Sequence, residues 1–418
     1  MSYIFQNSES EAPAGKLPGD KIPLDKLLFA LALAVLVFGI IRLGIGTIAG
    51  RVQARPVVVF SHWWENHLGE ETLLELKKEF ENLHEGIIVV FENRTYDELR
   101  QDLFSFVPKT DEAENTEAPV SPAGDVFALD LLWVPELVQN GLIEKNHTIP
   151  ILSFMNVLYY NIDILRRAGF TRPPGNRSEF LDYARTAVDR GNSRWGISMD
   201  PDSYRGIYND IFPWIWSAGA ELVRDGSPAA NSRQLIDSLT FLSALNNERL
   251  IASGQKLEHF ISGRAAFMIA SEGYIKNVRE GMGSDSFSIT AVPVPDNYSG
   301  RTFYSSVRWS AGVSRISNKK EEARLFAEFL AEKAPLLSEK AGAISASSIP
   351  RPGLDPHYSK IWDMALDAEI AEELDNFPWA PLREIFGEEL DSLFAGESTP
   401  AGTAAAVQRR WLQAAAAN

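Results

Sequence analysis

The stretch Ile151-Leu-Ser-Phe-Met-Asn-Val-Leu-Tyr-Tyr-Asn-Ile-Asp-Ile-Leu-Arg-Arg-Ala-Gly-Phe170 decides the fold of this chain. Its first half is apolar and rich in strand formers, so it predicts a strand. From Asp163 to Ala168 the spacing turns helical, and Gly169 is a natural stop after a helix. Pro173-Pro174-Gly175 breaks the chain soon after. A long strand therefore leads with almost no loop into a short helix. Tyr159 and Tyr160 are neighbours on that strand and face opposite ways, which argues against a shared iron site.

Upstream, Pro56-Val57-Val58-Val59-Phe60 predicts a strand buried on both faces. It ends in Ser61-His62-Trp63-Trp64-Glu65. Ligands of open α/β sheets sit beyond the carboxyl ends of strands, so Trp63, Trp64 and Glu65 are candidate contacts. Leu73, Leu76, Phe80 and Leu83 fall at helical spacing, and Ile87 to Phe91 predicts a second strand. This β-α-β start implies a parallel sheet. Residues 108–124 have no apolar period and predict a surface insertion. Asp125 to Asp130 restores a strand, and Trp133 opens a helix toward Gly141-Leu142-Ile143. Asp130 reads equally as the cap of that helix and as a hydroxyl-binding carboxylate.

Downstream, helices are expected over Ser178–Arg190, Ile207–Ser217 and Ser232–Asn247, with a strand at Trp195–Ser198. Tyr208, Ile211, Phe212 and Ile215 form the core stripe of the second helix, with Trp214 off that stripe. Phe260 to Ile269 is followed by Ser271-Glu272-Gly273-Tyr274. Val307 to Val313 carries Arg308 and Trp309.

Several of these segments carry a resemblance. Tyr159-Tyr160-Asn161, Asp163 and Arg167-Ala168-Gly169-Phe170 resemble the YYN.D.....AG hallmark of the extracellular solute-binding proteins of sugar-type ABC importers. Asp125 to Ile143 is similar to the DV..LD..W..EL...GLI segment of that family, with Gly124 where the family has Pro. Phe260 to Ile269 resembles F..GKAAM.I, with Ser271-Glu272-Gly273-Tyr274 in place of the usual Gly and Trp. Val307 to Val313 is similar to GGW.L.I, with Arg308 in place of a Gly. In order and spacing, these matches cover residues 56–418.

The resemblance implies an α/β fold of two lobes, the type II periplasmic-binding-protein fold. Each lobe would be a mostly parallel sheet flanked by helices. The chain would cross a hinge near Phe154, Phe260 and Ser317, giving a first lobe of 56–154 and 260–316 and a second of 155–259 and 317–418. The resemblance further implies a monomer that captures a sugar or oligosaccharide by hinge closure. It would deliver that ligand to ABC permease subunits, with no cofactor and no catalytic step. The expected ligand contacts are Trp63, Trp64, Glu65, Asp130, Trp133, Trp214, Glu272, Tyr274, Arg308, Trp309 and Trp379. Aromatic rings suit the C–H faces of a pyranose, and charged side chains suit its hydroxyls. Trp309 is expected to be a cleft residue whose loss weakens binding without destabilising the free protein. A rival reading is an anchored carbohydrate-active enzyme. It would need two carboxylates astride one bond, with Glu65, Asp130 and Glu272 as the candidates. A ligand-presenting sensor component would share the binding site and differ in partner.

Composition bounds these readings. A chain of 418 residues exceeds one ordinary core, so two domains are expected. The net charge of -16 argues against nucleic acid. The absence of cysteine excludes disulfides, thiolate metal sites and a lipid-modified cysteine. His62 and His67 flank Glu65, but not in the His-Glu-x-x-His order of a zinc site. Residues 1–26 are polar and expected to be disordered. Leu27 to Ile41 is an apolar run of about fifteen residues, at the upper end of a signal-peptide core and short of the ~20 of a comfortable span. It predicts either an export signal or an anchor in the inner membrane, and the resemblance implies that the protein faces outward, beyond the cytoplasm. Lys16, Lys21 and Lys26 before the run are balanced by Arg42, Arg51 and Arg55 after it, so the charges set no orientation.

Overall fold

The computed structural model describes residues 55–105, 124–300, 303–304, 306–345, 355–366, 369–371, 374 and 377–417. The polar N-terminus, the apolar run Leu27–Ile41 and nearly all of the expected insertion lie outside the described residues. Among the described residues, no helix is long and apolar enough to cross a membrane.

Three strands follow from the opening pattern: β1 (Val57–His62), β2 (Ile88–Asn93) and β3 (Val126–Asp130). Both β2 and β3 pair parallel with β1. The helix Glu70–Leu83 makes the crossover and buries Leu73, Leu76 and Phe80. Leu83, expected on that stripe, lies at the helix end and is exposed. All five residues of β3 are buried, as a strand covered on both faces requires.

The central strand β4 runs from Ile143 to Asn161. Beyond it come β5 (Trp195–Met199), β6 (Ile251–Ser253), β7 (Ala265–Ser271), β8 (Phe287–Thr290), β9 (Ser306–Ser314) and β10 (Ile344–Ser345). The sheet order is β2-β1-β3-β9-β4-β7-β5-β6, with β8 and β10 also pairing with β4. At ~3.3 Å per residue a strand of this length reaches up to about 60 Å, more than one compact layer needs. Its first part pairs antiparallel with β9, from Ile143 opposite Ser314 to Met155 opposite Ser306. From Asn156 onward it pairs antiparallel with β7 instead, starting opposite Ser271. Thus β4 changes partner between Met155 and Asn156. The strands on the far side of that change are again parallel, β5 with β7 and with β6. The result is an α/β fold of two lobes that share one strand.

Strand alternation distributes the core. Tyr159 is fully buried with Phe260, Met268 and Phe287, whereas Tyr160 packs against the larger cluster on the other face.

The expected helix over Ile207–Ser217 is divided. Ile207–Ile211 is a π-helical turn, and Phe212–Trp216 is the α-helix. Pro213 in the first turn of that helix has no N–H to donate, which favours a break in the hydrogen-bond ladder just before it. The wider turn changes which side chains share a face, so the 3.6-residue stripe does not carry through it.

The helix Arg177–Ala187 lies unusually close to β5. A Cβ at Gly196 would stand 2.7 Å from Ala184 Cβ and 3.2 Å from its backbone. Overpacking of this kind typically costs ~1–3 kcal/mol. Gly196→Ala should therefore lower the unfolding free energy by that amount, read as a lower urea midpoint, and Ala184→Gly in the same chain should recover part of the loss. Equal midpoints for Gly196→Ala and the parent would show that the helix simply moves away.

Candidate functional site

Where β1 ends, His62 fixes the turn. Its ring stacks on Phe60 at a centroid distance of 5.0 Å, and its Nδ1 accepts the Trp64 N–H at 3.2 Å. Burial pushes its pKa down to about 4, so it is a neutral core imidazole. Among the described residues, no cluster of His, Cys, Asp and Glu could hold a metal ion. The turn sends Trp63 toward a cleft and Trp64 into the core.

That cleft has a volume of about 440 Å³. One wall is built by Trp63, Asn66, His67 and Tyr96 from the segments after β1 and β2, with Trp309 from β9. Trp309 sits opposite Asp130 on β3 and Leu152 on β4, and its register with β4 shifts between Trp309 and Ser310. Such a bulge re-aims a side chain. The Trp309 ring is stacked with Trp64 at 5.7 Å and packed edge-on by Trp63 at 5.8 Å and His67 at 4.9 Å. The opposite wall comes from the segments after β5, β6 and β7: Arg205, Asn209, Lys256, Ser271, Gly273, Tyr274 and Asn277. Phe154 and Asn156 of β4 lie between the walls.

Every charged group in this lining already has a counter-charge. The Arg205 Nε lies 3.0 Å from Asp130 Oδ2, and the Lys256 Nζ lies 2.6 Å from Asp210 Oδ1. Burial opposes the Arg205 charge, but Asp130 beside it holds the guanidinium above its ordinary value. Asp210 is held above the usual carboxylate range by burial, with Lys256 opposing. Among the described residues, no carboxylate lines the 440 Å³ cleft. A second, outer hollow of about 580 Å³ shares Tyr96, Arg205, Asn209, Lys256 and Tyr274 with it, and adds Asp97, Asp200, Tyr204 and Glu258.

The profile of the family described as bacterial extracellular solute-binding protein matches residues 66–335. The chain belongs to that family. Membership places the binding protein outside the cytoplasm. A binding protein of Brucella abortus is 22% identical over 372 residues, covering 78% of this chain and 85% of that relative. Among solved structures, the GacH receptor of Streptomyces glaucescens, solved unliganded and with acarbose, has a TM-score of 0.68 at 17% identity, covering 86% of this chain and 98% of that one. The cycloalternan-bound ABC substrate-binding protein of Listeria monocytogenes has a TM-score of 0.65 at 15% identity, covering 87% of this chain and 99% of that one. UgpB of Mycobacterium tuberculosis, in complex with glycerophosphocholine, reaches 0.64 at 16% identity, covering 86% of this chain and 98% of that one. At these identities the likeness shows the fold, the type II periplasmic-binding-protein fold.

Of the residues singled out from the sequence of this binding protein, the structure brings Trp63, Tyr274 and Trp309 into the cleft. Trp309 is only 4% exposed, so it belongs to the core as well as to the wall. The expectation that its loss would spare stability does not fit that burial. Trp64 and Trp133 are fully buried behind the wall, with Trp133 packed on Trp63 at 5.1 Å and Tyr96 at 4.7 Å. Trp214 is fully buried against Phe180 and Phe241. Trp379 is buried on Tyr208 and Phe212, and its Nε1 donates to the Tyr204 carbonyl at 3.3 Å. Glu65 begins the short helix Glu65–Leu68, and Arg308 pairs in register with Ser153. Neither borders the inner hollow. The Asp130 carboxylate accepts the Leu132 N–H at 3.1 Å, capping the turn as one of its two sequence readings required. It also accepts the Tyr96 hydroxyl at 2.6 Å. Arg205, Asn209 and Lys256 escaped the sequence reading, although they follow the carboxyl ends of β5 and β6.

Glu272 is 1% exposed, and neither carboxyl oxygen has a hydrogen-bond partner. Burial holds its carboxyl well above the usual range. The backbone amides of Glu272 and Met155 oppose this only weakly, without reaching hydrogen-bond geometry. The sign follows from linkage. As pH rises above 4.5 the unfolded chain releases this proton while the folded chain keeps it, so the folded state loses stability up to the raised folded pKa. Glu272→Gln removes that loss. The gap between its thermal midpoint and the parent's should widen in its favour as pH rises above about 5. A gap that stays constant over that rise would mean that Glu272 ionises normally.

Proposed function

We propose that this binding protein captures a neutral sugar or oligosaccharide in the 440 Å³ cleft and presents it to the permease subunits of an ABC importer. The observation that carries the reading is the pairing of an aromatic wall with amide donors under full charge compensation. Trp63, Trp309, Phe154 and Tyr274 offer flat apolar contact, and Asn66, Asn209 and Asn277 offer hydrogen bonds to hydroxyls. Arg205 and Lys256 are already paired, so an ionic group on the ligand would meet no uncompensated charge. The outer hollow leaves room for further rings of an oligosaccharide. GacH with acarbose and the Listeria protein with cycloalternan are similar binders of this ligand class. The inner lining has no pair of carboxylates of the kind glycoside hydrolysis uses, which favours capture over chemistry.

In this reading the lobes close about the strands that cross between them, with β7 on the β5 side and the helix Lys320–Glu332, whose Phe326 packs on Phe60 and Phe80, on the β1 side. Leu27 to Ile41 serves export, as a signal or as an anchor in the inner membrane. The protein acts as a monomer and needs no cofactor.

Two substitutions separate wall from core. Tyr274 is 42% exposed, so Tyr274→Ala should weaken binding and leave the ligand-free melting temperature nearly unchanged. Removing one ring contact is worth about 1–3 kcal/mol, or roughly ten- to a hundredfold in affinity. Trp309→Ala should weaken binding by a similar factor and also destabilise the free protein by ~3–5 kcal/mol. Calorimetric titration with a panel of neutral mono- and oligosaccharides, beside thermal unfolding without ligand, reads both. If no neutral sugar binds, and an ionic solute binds with strong dependence on salt, the ligand class is wrong.

A further inference from the structure

The Asp130–Arg205 pair spans the two strand groups. Asp130 ends β3, which lies on the β9 side of β4. Arg205 follows β5, which lies on the β7 side. The carboxylate side chain is 1% exposed and the guanidinium 15%. The guanidinium faces the carboxylate fork to fork: Nη2 donates to Oδ1 at 3.4 Å, while Nε lies 3.0 Å from Oδ2 as an ion-pair contact without hydrogen-bond geometry. Leu132 N and the Tyr96 hydroxyl hold the carboxylate in place from its own side. All four partners are protein atoms, so the contact needs no ligand to form. Further contacts lie along the same seam. Asn156 Nδ2 donates to Asn209 Oδ1 at 3.2 Å, Arg100 lies over the Tyr204 ring at 4.3 Å, and the Ala380 N–H reaches Glu136 at 2.7 Å.

We infer that the Asp130–Arg205 fork is a strut that stabilises the closed arrangement of the lobes by itself, making Arg205 a positioning residue for the ligand. The inference rests on the reading of a closing cleft, but not on the identity of the ligand. A buried ion pair persists because separating it inside the protein would strand two charges. Opening hydrates both, so the strut sets the balance between open and closed forms rather than locking one. Arg205 borders both hollows, so the fork also fixes the guanidinium where a ligand passes it. Apparent affinity scales with the fraction of protein already closed, so a strut raises affinity for every ligand that fits.

The chain has no cysteine, which allows a clean pair of spin labels. Leu83→Cys, on the exposed end of the helix Glu70–Leu83, and Asp237→Cys, on the helix Arg233–Asn247, place one label on each strand group. Label-to-label distances are measured without sugar in the otherwise native chain, and with Asp130→Asn, Arg205→Lys, or the exchange Asp130→Arg with Arg205→Asp. The expected result is a short distance in the native chain and a longer, broader distribution in both single variants. Partial return toward the short distance in the exchange would support the strut further. Each single variant should bind the best neutral sugar of the panel at least tenfold more weakly, while saturating sugar restores the short distance. Identical ligand-free distances in the native chain and in whichever single variants fold would overturn the strut. Failure of every sugar to bind would sink the proposed ligand class and leave the distance result standing.

Discussion

One strand satisfies two sets of neighbours, and the rest of the structure depends on that. The backbone groups of β4 are taken by β9 up to Met155 and by β7 from Asn156 onward. Cut at that point, each strand group would present an open edge, which proteins avoid. Held at that point, the two groups remain joined where the ladder changes hands and is thinnest. Alternation along the strand puts Phe154 and Asn156 on one face and Met155 on the other. Phe154 and Asn156 line the cleft, and Met155 is buried in the smaller core cluster. The place where β4 changes partner is therefore also part of the cleft lining. A ligand touching Phe154 and Asn156 touches the joint itself.

The charges around the cleft follow from one rule applied in two ways. A buried charge must be paired or must neutralise itself. Asp130 and Asp210 are paired, with Arg205 and Lys256, and backbone N–H groups of Leu132 and Asp200 complete their shells. Glu272 has no such partner and keeps its proton instead. In both cases the acids behind the wall are silenced. What remains for a ligand is a set of amide groups and two already paired cations, Arg205 and Lys256, beside aromatic rings, in a protein of net charge -16.

The sequence made the frame legible because it rests on local period. The valine run of β1, the apolar spacing of Leu73, Leu76 and Phe80, and the turn at Gly169 each have one cheap solution. The carboxyl-end rule then located Trp63, and the family resemblance Tyr274 and Trp309. Neither separated them from Trp64, Trp133, Trp214 and Trp379, because ring type says nothing about which way a residue faces. Trp63 and Trp64 are adjacent, and only the turn held by His62 divides them between cleft and core. Arg205 and Lys256 follow strand ends by the same rule, yet a single cation in a loop carries no pattern. Asn209 was hidden for another reason. It sits in a π-helical turn, where counting by 3.6 residues assigns faces wrongly.

The burial of the wall has a consequence for selectivity. Trp63 and Trp309 are 5% and 4% exposed, each offering little more than one edge or face to the cleft. Their rings are held by Trp64, Trp133, Phe154 and His67, so a ligand need not order them. Arg205 and Lys256 are likewise held by buried aspartates before any ligand arrives. Of the cleft residues discussed, Tyr274 is the exposed aromatic and has rotamer freedom to lose. Binding to such a surface wastes little free energy on arranging the site. It also has little capacity to adapt, because moving a wall ring means repacking a core that tolerates few voids. For the sugar proposed above, discrimination would then come from shape and from the placing of hydroxyls against fixed donors. An analogue lacking a hydroxyl would leave a buried donor unpaired, and that penalty falls fully on the binding free energy rather than being absorbed by a shift of the wall.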